Sequence, residues 1–311
     1  MQDYIKQLEK FTISSLPDLD VVTLAALELF SSQDTPVINF DIFSRPLVVG
    51  SGNAAVTGKL LFSDKDAVFA DESSYLHKLN TIGSIDGVFL LSASGGKHAV
   101  EIAKVLTERF VPVVLLTTNR QAPAREYISD SSVSVFPKNR EPYTYNTSTY
   151  MSMILSKTHE NPQAILSFIQ KEVLPVIPQN FASYDAFYVL IPSEFNDIRE
   201  MFETKFNELF GPKLKARIFT LEQTKHAKTV VPHDTELFVS FGVENTRFGR
   251  KENRIYIPLP KEVNFAALMA IGYVVIGHIQ KQFPPYYKEN IEAYTDKTSK
   301  EFGSDINPIV E

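Results

Sequence analysis

The amino-acid sequence predicts an α/β protein made of two doubly wound parallel-sheet domains with helices on both faces. Short runs rich in β-branched residues alternate with longer helical patterns, which is the rhythm of successive βαβ units. Those runs are continuously apolar, as strands buried on both faces of a parallel sheet must be. The rhythm also restarts after residues 173–181, where Pro175 and Pro178 interrupt regular structure.

Two amphipathic stretches, 3–11 and 18–30, precede the first cycle. Strands are then expected at 46–49, 67–69, 87–91, 111–116 and 133–136, with helices at 54–62, 73–79, 97–110 and 147–157. In the second cycle strands are expected at 187–191, 217–220, 237–241 and 254–257, with helices at 194–210 and 265–281. A length of 311 residues fits two such domains at roughly 150 residues each, so the expected division is 1–172 and 173–311. No residue-level repeat joins the halves.

Composition removes several function classes. The 44 % hydrophobic and 22 % charged residues are ordinary globular values and exclude a disordered or fibrous chain. A formal charge of −6, without clusters of Lys and Arg, argues against nucleic acid as a partner. The absence of cysteine removes disulfides, thiol catalysis and thiolate metal sites. Histidines at 77, 98, 159, 226, 233 and 278 lack the spacing of a zinc site, so no metal is expected. Residues 1–10 carry no cationic start followed by an apolar core, and no run of about 18 apolar residues occurs. The expected setting is the cytoplasm, with no membrane partner.

In an open parallel sheet, ligands bind beyond the carboxyl ends of strands, where loop amides and helix N-termini converge. The first strand runs into Gly50, Ser51, Gly52 and Asn53, which would also suit a tight turn with a helix cap. The strand at 87–91 runs into Ser92, Ala93, Ser94, Gly95, Gly96 and Lys97 before a helix. Hydroxyls, amides and an ammonium at one N-terminus make an anion cradle, although a capping turn would share the pattern. Thr117, Thr118 and Asn119 end the neighbouring strand, so three adjacent strand ends offer polar groups to one crevice.

A strand followed by Ser92-Ala93-Ser94-Gly95 and a helix resembles the phosphate loop of sugar isomerase (SIS) domains, usually Ser-x-Ser-Gly-x-Thr. Lys97 stands where that family has threonine. The resemblance implies flavodoxin-like domains, two per chain, with Ser92, Ser94 and the helix N-terminus on a sugar phosphate and Ser51 and Gly52 lining the same site. The stretch with Glu141, Thr147 and Ser148 resembles the segment that closes the sugar site.

Moving a proton between C1 and C2 of a sugar phosphate calls for a carboxylate base and a proton shuttle that opens the ring. On the helix at 194–210, Ile198, Met201, Phe202, Phe206 and Leu209 form the apolar stripe, and Glu208 borders it before Gly211 and Pro212. On pattern alone Glu208 would be a solvated surface residue. Lys205-Phe206-Asn207-Glu208, however, resembles the base-bearing helix end of bifunctional phosphoglucose/phosphomannose isomerases and the Lys-x-x-Glu of the isomerase domain of glucosamine-6-phosphate synthase. Downstream, Glu222-Gln223-Thr224-Lys225-His226 resembles their histidine-bearing turn, although Ala227-Lys228 replaces the synthase's Gly-Pro. The resemblance thus implies Glu208 as base, His226 for ring opening, Lys300 or Lys297 as the family's C-terminal lysine, no cofactor, and a homodimer. The expected reaction is aldose–ketose isomerisation of a hexose or amino-hexose 6-phosphate through a cis-enediolate. Amino-sugar phosphate deamination or deglycation, and non-catalytic sugar-phosphate sensing, are the alternatives.

Overall fold

The computed structural model describes residues 3–227, 231–283, 286–303 and 305–311. Its chain forms two compact units, one of residues 32–138 and 148–159, the other of residues 1–31, 139–147 and 160–311. The first holds a five-stranded sheet, β1 Pro46–Val49, β2 Val68–Ala70, β3 Gly87–Leu91, β4 Val113–Thr117 and β5 Val133–Val135, in the order β2-β1-β3-β4-β5. Every ladder in it is parallel, with Val49 opposite Ala70 and Leu90. This is the flavodoxin-like order, and the chain reverses direction across the sheet between β1 and β3. Helices Asn53–Leu61, Tyr75–Thr81 and His98–Glu108 connect the strands. The apolar runs become strands because both faces are covered; Leu47, Val49, Val88, Leu90 and Leu115 share one buried cluster with Ile102 and Leu106.

In the second unit β6, Glu141–Pro142, pairs with a short C-terminal strand, and a four-stranded parallel sheet is made by β7 Ala186–Ile191, β8 Lys215–Thr220, β9 Glu236–Phe241 and β10 Arg254–Ile257 in the order β10-β9-β7-β8. The partner of β6 is β11, Ile309–Val310, antiparallel, with Val310 opposite Glu141. Helices Arg199–Phe210 and Phe265–Gln280 cover one face of the sheet, with Phe202 and Phe241 rings 6.1 Å apart. Helix Phe265–Gln280 is buried almost throughout, and the carboxylate of Glu160 accepts the backbone N–H groups of Asn264, Ala266 and Ala267 at its start.

The compact units divide the chain elsewhere than at residue 172. Within the four-stranded unit the N-terminal helix Leu19–Ser32 is tied to the second half: Gln280 accepts from Leu19 N–H at 2.9 Å and donates to the Tyr145 hydroxyl at 2.9 Å. Asp20 pairs there with Lys281. Helices Pro162–Phe168, Leu221–His226 and Tyr286–Phe302 and the short strands β6 and β11 were not expected from the sequence. The expected helix at 194–210 is a 3₁₀ segment, Ser193–Ile198, leading into an α-helix from Arg199. No helix among the described residues is long and apolar enough to cross a membrane.

Candidate active site

The five-stranded unit places two polar loops at adjacent strand ends, β1 and β3. In the first, Gly50 donates to Ala70 O at 3.2 Å, and Gly52 sits at φ +54° ahead of helix Asn53–Leu61. Ser51 Oγ donates to the Glu72 carboxylate at 2.6 Å. Asn53 is buried, and its Oδ1 has no hydrogen-bond partner among the described residues. With Glu72 beside Ser51 this loop is a poor anion site and a good acceptor for ligand hydroxyls.

The second loop is built differently. Ser92 Oγ accepts from Gly95 N–H at 3.1 Å and Ser94 Oγ from Gly96 N–H at 3.2 Å, folding the loop over its own amides. The end of β4 braces it: Thr117 and Thr118 hydroxyls donate to Ala93 O at 3.0 and 3.1 Å, and Asn119 Nδ2 donates to Ser94 O at 2.9 Å. Thr117 is fully buried, so its hydroxyl holds the loop in shape. Gly95 lies at φ +60°, and a Cβ there would come within 2.3 Å of Ala122 Cβ, so no other residue fits.

Lys97 caps helix His98–Glu108 at φ 52°, ψ −127°, a region that residues with a Cβ adopt only under strain. The strained position carries an exposed side chain whose partial burial pushes its ammonium below the ordinary lysine range.

The four-stranded unit offers a titratable pair. On helix Arg199–Phe210, Met201, Phe202, Phe206 and Leu209 face inward, and the same turn carries Lys205 to full burial. Lys205 Nζ donates to Thr144 O at 2.7 Å and to Glu208 Oε2 at 2.5 Å. The Lys205 side chain is 0 % exposed and that of Glu208 23 %, so of the two only Glu208 reaches the surface. Burial pushes the Glu208 carboxyl above the usual range, and the Lys205 charge and hydrogen bond oppose that rise.

Three tyrosines feel the same carboxylate. Burial pushes Tyr143 up to about 12, with the charges of Tyr294 and Glu208 adding to it. Tyr294 and Tyr287 are raised from the same causes, burial first. The Tyr287 hydroxyl donates to Tyr143 O, and the Tyr143 and Tyr294 rings lie 6.0 Å apart. Lys205 and these tyrosines are the site residues that sequence reasoning did not select. Lys205 had a signal, its i,i+3 spacing to Glu208; the tyrosines had none.

The remaining expected residues are placed as follows. Glu141 is buried in β6, and its Oε2 accepts Thr147 N–H at 2.6 Å, putting a carboxylate at the start of helix Thr147–Thr158. Thr147 is fully buried, with no partner for its hydroxyl among the described residues. His226 ends helix Leu221–His226, whose start is fixed by a capping box between Thr220 and Gln223. It is exposed, and no hydrogen bond or ion pair joins it to Glu208 among the described residues. Lys228 lies outside the described residues. Lys297 and Lys300 are exposed on helix Tyr286–Phe302.

No protein-family model matches the chain, and no curated protein matches it in sequence. Solved structures do match it. Tagatose-6-phosphate ketose/aldose isomerase from Escherichia coli superposes with a TM-score of 0.57 at 13 % identity, over 92 % of this chain and 92 % of its own. The C-terminal domain of glucosamine-fructose-6-phosphate aminotransferase from Francisella tularensis gives 0.56 at 12 % identity, over 91 % and 96 %. Glucosamine-6-phosphate deaminase from Thermotoga maritima gives 0.55 at 12 %, over 84 % and 93 %. At such identities the likeness is one of architecture, and the chain has the sugar isomerase (SIS) type of α/β fold, with parallel sheets flanked by helices.

Proposed function

We propose that the protein is a phosphosugar aldose–ketose isomerase acting on a hexose or amino-hexose 6-phosphate. The observation that carries this reading is the Lys205–Glu208 pair, a carboxylate raised by burial and held in place by a buried ammonium. A general base works best with a pKa near the working pH, and burial moves Glu208 in that direction. In this reading Ser92, Ser94, Gly95 and Lys97 receive the phosphate. Ser51 and Asn53 meet sugar hydroxyls. Glu208 takes the C2 proton of the open-chain aldose, the electron pair moves into a cis-enediolate, the O2 proton passes to O1, and the carbon-bound proton returns to C1 to give the ketose. His226 carries the proton between the ring oxygen and the anomeric hydroxyl during ring opening. Its exposure suits a histidine that serves the substrate of a second copy of the chain, and the active form is proposed to be a homodimer in the cytoplasm.

The fold is shared with a glucosamine-6-phosphate deaminase, so amine release is the second reading. Product analysis on a panel of hexose 6-phosphates and glucosamine 6-phosphate separates the two. Isomerisation yields the paired ketose with no ammonia, and this is the expected result. Ammonia release from the amino sugar would establish the deaminase. Tight binding without turnover of any member would leave a sensor.

A further inference from the structure

We propose that the four-stranded unit carries a second small-molecule site, over β9 and β10, that takes a neutral polyhydroxylated ligand such as an unphosphorylated sugar. A cavity of about 470 Å³ there is lined by Ser240, Gly242, Glu244, Asn245, Arg254 and Tyr256 among others. That volume is within the range of ligand pockets and holds a mono- or disaccharide. The cavity is separate from the Glu208 carboxylate. Phe241 packs toward Phe202 on the helix that carries Glu208, and side chains alternate along a strand, so Ser240 points to the opposite face of the sheet.

The lining has the chemistry of a carbohydrate site. Ser240 and Tyr256 are register partners on adjacent strands, side by side on that face. Ser240 is 1 % exposed, yet its hydroxyl has no hydrogen-bond partner among the described residues. Buried hydroxyls in folded proteins are almost always satisfied, so one that lines a cavity without a partner is set for a ligand. Tyr256 is 52 % exposed, an unusual state for an aromatic side chain in a strand, and offers a ring face for the C–H surface of a sugar. The exposed carboxylate of Glu244 supplies acceptors for hydroxyls.

The wall opposite is already rigid. Arg254 donates to Phe248 O at 2.8 Å and Gly249 O at 2.7 Å, and Asn245 Oδ1 accepts Phe248 N–H at 2.9 Å. The guanidinium thus braces the loop that follows β9, its N–H groups committed to the backbone carbonyls of Phe248, Asn245 and Gly249. A phosphate would find no hydroxyl-and-amide cradle of the kind at Ser92–Gly96, which is why the ligand is taken to be uncharged.

The test is ligand-observed NMR and calorimetry on the full chain with D-glucose, N-acetylglucosamine, maltose and sorbitol, and with inorganic phosphate and spermidine as charged comparators. At least one neutral compound is expected to bind. Ser240→Ala and Tyr256→Ala should each weaken that binding about tenfold, while Glu208→Gln leaves it unchanged. Ser240→Ala removes a hydroxyl with no protein partner, so its melting temperature should equal or exceed that of the parent, and lost binding cannot be assigned to misfolding. Failure of every neutral compound to bind, equal affinity in parent and Ser240→Ala, or binding of phosphate or spermidine alone would overturn the proposal. None of these readouts depends on turnover, so the result stands apart from that of the isomerase assay.

Discussion

The loop at Ser92–Lys97 and the pair Lys205–Glu208 are both polar sites in apolar units, yet they are made by opposite means. The loop is local: hydroxyls cap the amides two or three residues ahead, and one neighbouring strand end braces it. The pair is non-local, since Thr144, Tyr143, Tyr287 and Tyr294 surround a helix more than 50 residues away along the chain. A site of the first kind can be altered one residue at a time with small effects on the fold. A site of the second kind couples chemistry to stability.

The largest effect expected from breaking the second kind is catalytic. Glu208→Gln should lower kcat by about 10²- to 10⁴-fold, the usual contribution of a positioned base, while binding of a hexose 6-phosphate stays near the parent value. Steady-state kinetics beside calorimetry would check it.

Next in size is Lys205→Met. Removing one partner of a buried pair should destabilise the protein by about 3 kcal/mol in chemical denaturation, and Lys205→Met with Glu208→Gln should regain much of it. The same change removes the charge that holds the Glu208 carboxyl down, so the acid limb of the pH–rate profile should move to higher pH. A carboxyl whose folded-state pKa lies above its unfolded value binds more protons when folded, so its contribution is fully present below the unfolded pKa and is lost as pH rises through the folded pKa. Glu208→Gln should flatten that fall in a pH series of melting temperatures.

Changes in the loop should be smaller and should separate affinity from stability. Gly95→Ala places a Cβ against Ala122 at a positive φ and should cost about 1–3 kcal/mol. Lys97→Gly should do the reverse, relieving a strained φ of 52° and adding about 1 kcal/mol of stability while weakening hexose 6-phosphate binding about tenfold. If Lys97→Gly weakens both, the strain does not serve the ligand.

The same contrast explains what could be read from the sequence. Strands Pro46–Val49 and Gly87–Leu91 fall where the apolar runs put them, because a strand buried on both faces writes its own pattern. Helix Tyr286–Phe302 was invisible because two of its inward positions are Thr295 and Thr298, which satisfy themselves on Ile291 O and Tyr294 O and so read as polar. The cut at residue 172 differs from the compact units because the ties of Leu19 and Tyr145 to Gln280 are tertiary and leave no local trace. Glu208 was singled out only by the resemblance of Lys205-Phe206-Asn207-Glu208 to a base-bearing helix end, and its burial and the tyrosines around it were not legible, since those depend on segments brought together only by folding.

The central claim is that Glu208 moves a proton on a phosphosugar carbon. It is tested most directly by incubating hexose 6-phosphates with the protein in heavy water and following the C2 proton by NMR, with Glu208→Gln in parallel. The account predicts loss of the C2 signal for at least one sugar with the parent protein and its retention with the variant. Retention of that proton in every sugar that measurably binds, or exchange undiminished in Glu208→Gln, would contradict it.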